Sequence, residues 1–331
     1  MFRDISRRAV LASGVAALGL SAARVSAASQ NTVRIGTLKF GTVSWELETI
    51  RAKGFDRDAG ITLEIVDFAG NQATQIALQA GSVDMIVSDW LWVARRRSEG
   101  EPVSFLPYSS SVGALVVPAA SPIADIPDLA GKRIGVAGTR IDKSWLLLQA
   151  LARRRHNLDL ERAAEVVYGG PPLLNQQIEA GRLDVVLNYW HFAARLEAKG
   201  MRQLMGVNDI MRGLGLAGEI PALGYTFRES WGRENTATLN GFVTASRAAK
   251  ELLRTSDAAW NDLRPLMQVE DDATFQRLRD RYREGIPQRW GDLERSEAAK
   301  LYAILAETGG RELVGEANTL DPATFWPGVV F

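Results

Sequence analysis

The chain repeats itself at an offset of about one hundred residues. Three segments recur in the same order: Arg-Ile-Gly at 34–36 and 133–135, Ser-Trp at 44–45 and 144–145, and the run 80–90 at 180–190. Their offsets of 99, 100 and 100 residues indicate a duplication rather than chance. A long unit that occurs twice is not a solenoid, which stacks at least about three short units. The repeat therefore predicts two lobes built on one plan.

Each copy has the pattern of strand, helix, strand, helix, strand. In the first copy we expect strands at 33–38, 61–68 and 85–87, with helices at 44–54 and 71–80. In the second copy we expect strands at 133–137, 165–168 and 185–187, with helices at 142–155 and 173–180. Such alternation is typical of parallel sheets with helices on both faces. The predicted fold class is α/β, with a mostly parallel sheet in each lobe.

The segments around the second copy suggest how the lobes are connected. Further strands are predicted at 102–108, 113–117 and 220–227, and helices at 239–254, 258–267, 272–285 and 296–308. We expect the C-terminal helices to pack on the first lobe. Lobe I would then comprise residues 32–115 and 219–331, and lobe II residues 116–218. Two crossing strands would form the hinge.

The N-terminus has the layout of an export signal. The basic pair Arg7-Arg8 precedes an apolar run at 9–22, and small residues at 25–27 suit a signal peptidase. The twin arginine resembles a twin-arginine (Tat) signal. We expect cleavage after Ala27, so that residues 1–27 are removed and the protein is periplasmic. The alternative is an uncleaved membrane anchor.

Composition excludes several function classes. The 39 basic and 39 acidic residues give a net charge of zero, which argues against nucleic-acid binding. The absence of cysteine excludes thiol catalysis and thiolate metal sites. The two histidines, His156 and His191, cannot build a His-rich metal centre. We therefore predict no metal and no cofactor.

Two lobes of this kind would enclose a cleft, because ligands of open parallel sheets bind beyond the carboxyl ends of the strands. The cleft offers no nucleophile activated by a base, so no catalytic residue is predicted. The predicted ligand-binding residues follow strands or begin helices in each copy: Lys39, Phe40, Thr42, Ser44, Asn71, Ser88, Asp89 and Trp90 in the first, and Thr139, Arg140, Ser144, Gly170, Asn188, Tyr189 and Trp190 in the second.

The chemistry of these residues favours an organic anion. Two helix N-termini, together with Lys39 and Arg140, would attract a negative group. The Trp and Tyr side chains suit a flat or apolar body. A small sulfonate or carboxylate fits both features. Asp89 does not, because a carboxylate prefers an amine or a ring N–H, so a heterocycle such as a pyrimidine precursor is the alternative.

Three motifs resemble those of periplasmic solute-binding proteins of ABC importers, most closely the nitrate/sulfonate/taurine group. They are the strand motif at 33–36, the helix–strand motif at 79–84 and the Asp-Leu-Ala-Gly-Lys-Arg-Ile-Gly-Val segment at 128–136. The resemblance covers roughly residues 32 to 310. It implies a type II periplasmic-binding-protein fold and a receptor that closes on its solute and delivers it to a membrane permease. We expect a monomer.

Two other functions remain open. The first is an enzyme on the same fold, since some menaquinone- and thiamin-pathway enzymes resemble this architecture. Its acid–base candidates would be Asp89, Glu219 and Tyr225. The second is a binding subunit that serves a signalling receptor instead of a permease.

Overall fold

The structure is a computed structural model that describes residues 31–39, 41–217, 219–317 and 319–330. The predicted export signal at 1–27 lies outside the described residues and stays a prediction. Within the described ranges, no helix combines the length and the apolar character that a membrane crossing requires.

The helices and strands alternate along the chain as the repeat predicts. The first copy and its extension contain β1 (Thr32–Leu38), α1 (Val43–Lys53), α2 (Phe55–Asp58), β2 (Thr62–Phe68), α3 (Asn71–Gln79), β3 (Met85–Asp89), α4 (Trp90–Ser98) and β4 (Val103–Ser109). The second contains β5 (Gly113–Val117), a 3-10 turn (Ile126–Leu129), β6 (Arg133–Ala137), α5 (Lys143–His156), α6 (Leu160–Ala163), β7 (Glu165–Gly169), α7 (Pro171–Glu179), β8 (Val185–Tyr189), α8 (Trp190–Ala198), β9 (Arg202–Gly206) and α9 (Val207–Gly213).

The remainder is one strand followed by helices. It contains β10 (Leu223–Arg228), α10 (Glu229–Glu234), α11 (Thr236–Thr255), α12 (Ala258–Asn261), α13 (Arg264–Met267), α14 (Asp272–Glu284), α15 (Asp292–Val314) and a 3-10 turn (Pro322–Thr324). Helix α15 is kinked at Gly310, whose φ of 60° and ψ of −161° are not helical.

The described strands form two five-stranded sheets of matching topology. Lobe I has the order β2-β1-β3-β10-β4, and lobe II has the order β7-β6-β8-β5-β9. In each sheet the first three strands are parallel, and the fourth runs antiparallel to both neighbours. The predicted α/β class is confirmed, and each sheet is mixed, with two parallel and two antiparallel pairings.

An ion pair between the first strand and the turn before the third strand occurs in each lobe, and it accounts for the repeated arginine and aspartate. In lobe I, Arg34 donates from its backbone N (2.9 Å) and Nε (3.0 Å) to the Asp84 carboxylate, and from Nη2 to the Gly81 carbonyl (3.2 Å). In lobe II, Arg133 makes the same bonds to Asp184 (2.8 and 3.1 Å) and to the Gly181 carbonyl (3.0 Å). The pair ties the first strand of each copy to the turn before its third strand.

The chain crosses between the lobes twice. It passes from β4 to β5 through residues 110–112 and returns from α9 to β10 through a segment of which residues 214–217 and 219–222 are described. The domain boundary expected between residues 115 and 116 lies inside β5, which is paired with β8 and β9 of lobe II. The return strand β10 begins at Leu223, three residues later than expected, and β9 was not predicted.

The C-terminal helices contact both lobes, whereas the sequence placed them on lobe I alone. Helix α11 packs against α1 of lobe I, but α14 packs against α8 of lobe II, and α15 packs against both α5 of lobe II and α4 of lobe I. One apolar core therefore continues across the lobe boundary, with Trp90, Leu115 and Leu305 among its members. The lobes stand closely packed in this structure.

Candidate functional site

A cavity of about 370 Å³ lies between the two lobes. We call it the interlobe cavity. The carboxyl ends of β1, β3 and β8 open into it, as do the first turns of the helices α3, α4, α5 and α8 that follow strands. Helices α9 and α15 close it from the side through Met211, Leu301 and Leu305. Its position at the strand ends is where sheets of this kind bind ligands.

An ion pair between the lobes crosses the interlobe cavity. Lys143, the first residue of α5 in lobe II, places its Nζ 3.2 Å from Oδ2 of Asp89 in lobe I. The other oxygen of Asp89 accepts a hydrogen bond from the backbone N of Trp92 (3.0 Å) and so caps α4. The nearby charge of Asp89 raises the pKa of Lys143 against the opposing effect of burial, so Lys143 is protonated at neutral pH.

A second acid stands beside Lys143. Asp142 is the N-cap of α5, and its Oδ1 accepts from the backbone N of Ser144 (2.9 Å) and Trp145 (3.2 Å). Burial raises the pKa of the Asp142 carboxyl. The start of α5 is therefore already capped by a carboxylate, which reduces its attraction for an anion. The sequence analysis expected two free helix N-termini to attract an anion, and at the start of α5 a carboxylate of the protein already accepts from the N–H groups of Ser144 and Trp145.

The aromatic walls of the cavity differ between the lobes. Trp190 of lobe II lies edge-on to Trp45 of lobe I, with ring centroids 5.9 Å apart, and 6.2 Å from the ring of Tyr282. Trp90, at the matching position of lobe I, is 2% exposed and packs against Tyr302 and Phe325. Trp190 thus joins the two lobes, while Trp90 belongs mainly to the core.

His191 adds a polar atom that has no protein partner among the described residues. Its Nδ1 is buried without a hydrogen bond, and its ring lies 4.4 Å from Phe192 and 5.5 Å from Trp190. Burial, helped by the charge of Arg195, lowers the pKa of His191 to about 4. The imidazole is therefore neutral at pH 7, and one of its ring nitrogens can accept a hydrogen bond from a ligand.

The structure brings eight of the fifteen predicted residues to the interlobe cavity. They are Thr42, Asn71, Ser88, Asp89, Trp90, Ser144, Tyr189 and Trp190. The hydroxyl of Tyr189 lies close to the backbone of Gly138. A Cβ added at residue 138 would lie 3.3 Å from the hydroxyl oxygen. Phe40 lies outside the described residues.

The remaining six predicted residues are placed elsewhere. Lys39, Thr139, Arg140 and Gly170 are exposed and absent from the described lining of the cavity. The guanidinium of Arg140 forms an ion pair with Glu312 on the surface, which satisfies its charge away from the cavity. The hydroxyl of Ser44 donates to the Gly41 carbonyl (2.7 Å). Neither Lys39 nor Arg140 is among the described residues that line the interlobe cavity.

Asn188 is the sixth predicted residue that does not line the interlobe cavity. Its amide nitrogen donates to Oδ1 of Asn175 (2.8 Å) and to the carbonyl of Pro171 (3.1 Å), and its own oxygen accepts from the backbone N of Tyr189 (2.8 Å). Every polar atom of this buried side chain is satisfied inside lobe II. Asn188 braces the end of β8 against α7 instead of facing the cavity.

The predicted ligand-binding residues did not include Lys143, Gln75, Tyr108 or His191. Each lines the interlobe cavity. Lys143 could have been found, because it directly follows Asp142 in the first turn of the helix that begins at a strand end. The orphaned nitrogen of His191 depends on packing by Trp190 and Phe192, and no sequence pattern reports it.

Within the described residues, no three His, Asp or Glu side chains are grouped closely enough to hold a metal ion. Among the charged residues that line the described interlobe cavity, Asp89 and Asp142 are acids and Lys143 is the base. The rest of the lining is mostly apolar. Such a site can bind an organic molecule that has one polar end.

The chain is similar to one protein family in sequence and to many solved structures in fold. The profile of the NMT1/THI5 like family matches residues 49–257. No curated protein gives a significant match in sequence. Many solved structures match in fold, at sequence identities that support the fold alone.

Three of these structures illustrate the likeness. The periplasmic aliphatic sulphonate binding protein SsuA from Escherichia coli is 18% identical, with a TM-score of 0.69 over 88% of this chain and 96% of that one. The alkanesulfonate-binding protein SsuA from Xanthomonas axonopodis pv. citri, bound to MOPS, is 18% identical, with a TM-score of 0.65 over 89% and 98%. The ligand binding component of an ABC-type import system from Staphylococcus aureus is 13% identical, with a TM-score of 0.62 over 89% and 96%.

Proposed function

The chain belongs to the NMT1/THI5-like family and has the periplasmic-binding-protein fold, and from this premise we propose that it is an extracytoplasmic solute-binding protein that delivers its cargo to an ABC importer. The likeness to sulfonate-binding proteins supports the receptor role. We propose that it acts as a monomer whose lobes close by bending at the two crossing segments.

The observation that carries the proposal is the composition of the interlobe cavity. Its walls come from both lobes, and Lys143 of lobe II reaches Asp89 of lobe I across it. A solute held there contacts both lobes at once, and such contacts favour the closed state over the open one. We propose that the permease recognises this closed form.

The proposed cargo is a small organic acid with a flat or apolar body. Lys143 is the cation that a sulfonate or carboxylate would meet, with Asn71 and Ser88 as hydrogen-bonding neighbours. The body would lie against Trp190 and the aliphatic side chains of α9 and α15. An anion would compete with Asp89 for Lys143, so binding would rearrange the ion pair between the lobes.

A neutral heterocycle is the second candidate cargo, and the Asp89–Lys143 pair favours it. The carboxylate can accept from a ring N–H or amine while the ammonium donates to a ring nitrogen or carbonyl oxygen. The two acids around Lys143 weigh against a strong preference for anions. The two candidates differ in the charge of the cargo, which experiment can separate.

The arrangement gives less support to an enzyme. Of the acid–base candidates, only Asp89 lines the interlobe cavity. Glu219 is exposed, and Tyr225 is buried with its hydroxyl donating to Glu46 (2.9 Å). We therefore propose binding and not catalysis. Delivery to a signalling receptor instead of a permease would use the same cavity and the same closure.

Export remains part of the proposal. We propose that residues 1–27 direct the protein to the periplasm, by the Tat route, and are then removed. N-terminal sequencing of the exported protein should begin at Ala28. A protein that retains residues 1–27 in the membrane fraction contradicts this.

The cargo class is tested by titrating the purified protein with four small probes that share a flat ring. Benzenesulfonate, benzoate, benzylamine and an aminopyrimidine are compared by tryptophan fluorescence, with native mass spectrometry to detect solute that co-purifies. The organic-acid proposal predicts that the two anions bind more tightly than the other two. Tighter binding of the aminopyrimidine selects the heterocycle, and the absence of binding and of any co-purified solute contradicts the receptor role.

A matched pair of variants locates the binding. Lys143→Met should weaken the binding of benzoate by about tenfold or more, since a charge-assisted hydrogen bond contributes about 1.5–3 kcal/mol. Arg140→Gln, which changes a cation of the same lobe outside the cavity, should leave the affinity unchanged. Equal effects of the two variants would show that the interlobe cavity is not the site.

A further inference from the structure

A second cavity, of about 320 Å³, lies in lobe I beside α11. We call it the α11 cavity. Its apolar wall is formed by Leu106, Phe242, Ile286, Pro287 and Val329. Its polar wall is formed by residues of α11, namely Ser246, Arg247, Lys250, Glu251 and Arg254. Its volume is at the lower end of the range of about 300–1,000 Å³ that is typical of pockets for small molecules.

Lys250 lines the α11 cavity and forms an ion pair with the buried carboxylate of Glu46. Its Nζ lies 2.6 Å from Oε2 of Glu46 and donates to the hydroxyl of Ser246 (2.8 Å). The ammonium also lies 5.0 Å from the ring centre of Tyr108 and 5.6 Å from that of Tyr225. The side chain is 13% exposed and forms part of the cavity wall, so the ammonium can reach a molecule in the cavity.

Glu46 pairs with Lys250 from the interior of lobe I. This residue of α1 is fully buried, and its Oε1 accepts from the hydroxyls of Tyr225 (2.9 Å) and Ser246 (2.6 Å). With its partners arranged in this way, the carboxylate fixes the position of the lysine and favours its charged form, against burial, which lowers the pKa of Lys250 overall. The ammonium is therefore preorganised at the floor of the cavity.

The other lobe shows that the fold does not require this buried charge. At the offset of one hundred residues, Glu46 corresponds to Leu146 in α5, which is 5% exposed. Burying an ion pair costs desolvation, and apolar side chains of similar volume often give equal or greater stability. Stability alone thus leaves the charged pair in lobe I unexplained.

The electrostatics of the α11 cavity favour an anion. Arg247 lies on the wall and donates to the carbonyl of Val330 (2.8 Å), and Glu251 is paired with Arg254 (2.7 Å). Lys250, Arg247 and Arg254 outnumber Glu46 and Glu251 by three to two among the charged groups described here. The opposite wall is hydrocarbon and aromatic.

We propose that the α11 cavity is a second binding site, which takes a small amphiphilic organic anion with its carboxylate at Lys250 and its apolar chain along Phe242, Ile286 and Val329. The site is separate from the interlobe cavity, although Tyr108 contributes to the wall of that cavity and its ring lies next to Lys250. It does not depend on which solute the interlobe cavity carries.

Octanoate is the probe for this site, with octan-1-ol as its uncharged counterpart. Titration of the ¹⁵N-labelled full chain should shift the amide signals of residues 243–254, Ile286 and Gln288. Octan-1-ol should bind about tenfold more weakly or worse, since it lacks the charge that Lys250 recognises. Equal binding of the alcohol, or shifts confined to the interlobe cavity, would overturn the proposal.

Three variants assign the effect to the site. Glu46→Leu/Lys250→Met replaces the ion pair with apolar side chains and should weaken octanoate binding by about tenfold. Arg247→Gln alters the wall without touching Glu46 and should weaken it by a smaller factor. Lys143→Met changes the interlobe cavity and should leave the octanoate-induced shifts of residues 243–254 unchanged, because Lys143 does not line the α11 cavity. Loss of those shifts in Lys143→Met, or their persistence at full strength in both other variants, would contradict the assignment.

Discussion

Residues 88–90 of lobe I and 188–190 of lobe II occupy the same place in the repeat, at the end of the third strand and the start of the next helix, but their side chains have different partners. Asp89 caps α4 and forms an ion pair with Lys143 across the cavity. Tyr189, at the position that matches Asp89, makes no side-chain cap to α8, and Asn188, which matches Ser88, is satisfied within lobe II. By contrast, Arg34–Asp84 and Arg133–Asp184 make the same bonds in both lobes.

The contrast separates two kinds of repeated residue. Those that hold the backbone of a lobe together keep their contacts in both copies. Those at the strand ends have different partners in the two copies. A matched position in the repeat therefore predicts where a side chain is located better than it predicts what it binds.

The largest effect is expected from the two tryptophans. Trp90→Ala should lower the free energy of unfolding by about 3–5 kcal/mol, since it empties a core position against Tyr302 and Phe325. Trp190→Ala should cost less stability but weaken solute binding, because this ring joins the lobes at the cavity. Urea unfolding and fluorescence titration measure the two quantities. Equal loss of stability in both variants would contradict the assignment of Trp90 to the core and of Trp190 to the contact between the lobes.

The Glu46 and Leu146 positions give a comparably large effect. Lys250→Met leaves the buried Glu46 carboxylate without its counter-charge and should destabilise the protein by about 3–5 kcal/mol. The double variant Glu46→Leu/Lys250→Met, which gives α1 the residue that α5 has, should recover most of that loss in urea unfolding. If the double variant is as unstable as the single one, lobe I requires the charged pair for its fold.

His191 should make the stability of the protein sensitive to acid. Its pKa is about 4 in the folded protein and 6.5 as an ordinary histidine, so the unfolded chain takes up the proton first as the pH falls. The stability present above pH 6.5 should therefore decrease toward pH 4, by up to about 1.4 kcal/mol per pH unit. His191→Gln should remove this part of the pH dependence in thermal unfolding. A variant with the same pH profile as the parent protein would show that His191 is not held neutral.

The smallest effect is expected from the arginine–aspartate ion pair that occurs once in each lobe. The hydrogen bond from Arg133 lowers the pKa of Asp184. The stabilisation is thus present above the ordinary pKa of an aspartate and is lost as the pH falls through the lowered value. Asp184→Asn should melt below the parent protein at pH 6, and the difference should shrink near pH 3 and in high salt. A difference independent of pH would indicate that the amide fails for a reason other than charge.

Most of the fold could be predicted from the sequence because it rests on local signals. The period of apolar residues, the glycines that end helices and the repeat at one hundred residues are all visible in the chain. The strand β9 was missed because Arg202 and Gln203 give it little β character, and its place in the sheet depends on pairing with β5. The contact of α14 with lobe II was missed for a similar reason, since only tertiary packing brings Arg281 to Glu197 (2.7 Å).

The site was predicted less completely than the fold. Strand-end reasoning located Asn71, Ser88, Asp89 and Tyr189 correctly at the cavity, because backbone topology determines where a strand ends. It could not decide the direction of the Asn188 amide or the partner of Arg140, since these depend on side chains distant in sequence. Among the described residues that line the cavity, the cation is Lys143, and its partner Asp89 belongs to the other lobe.

The central claim, that the two lobes close on a solute between them, is tested by the distance between the lobes. The chain has no cysteine, so spin labels at Ile76→Cys on α3 and Leu173→Cys on α7, which are 58% and 49% exposed, report on the two lobes alone. Double electron–electron resonance should show a broad or two-component distance distribution without solute and a single shorter component with the tightest-binding solute. A distribution that a bound solute leaves unchanged would contradict the account.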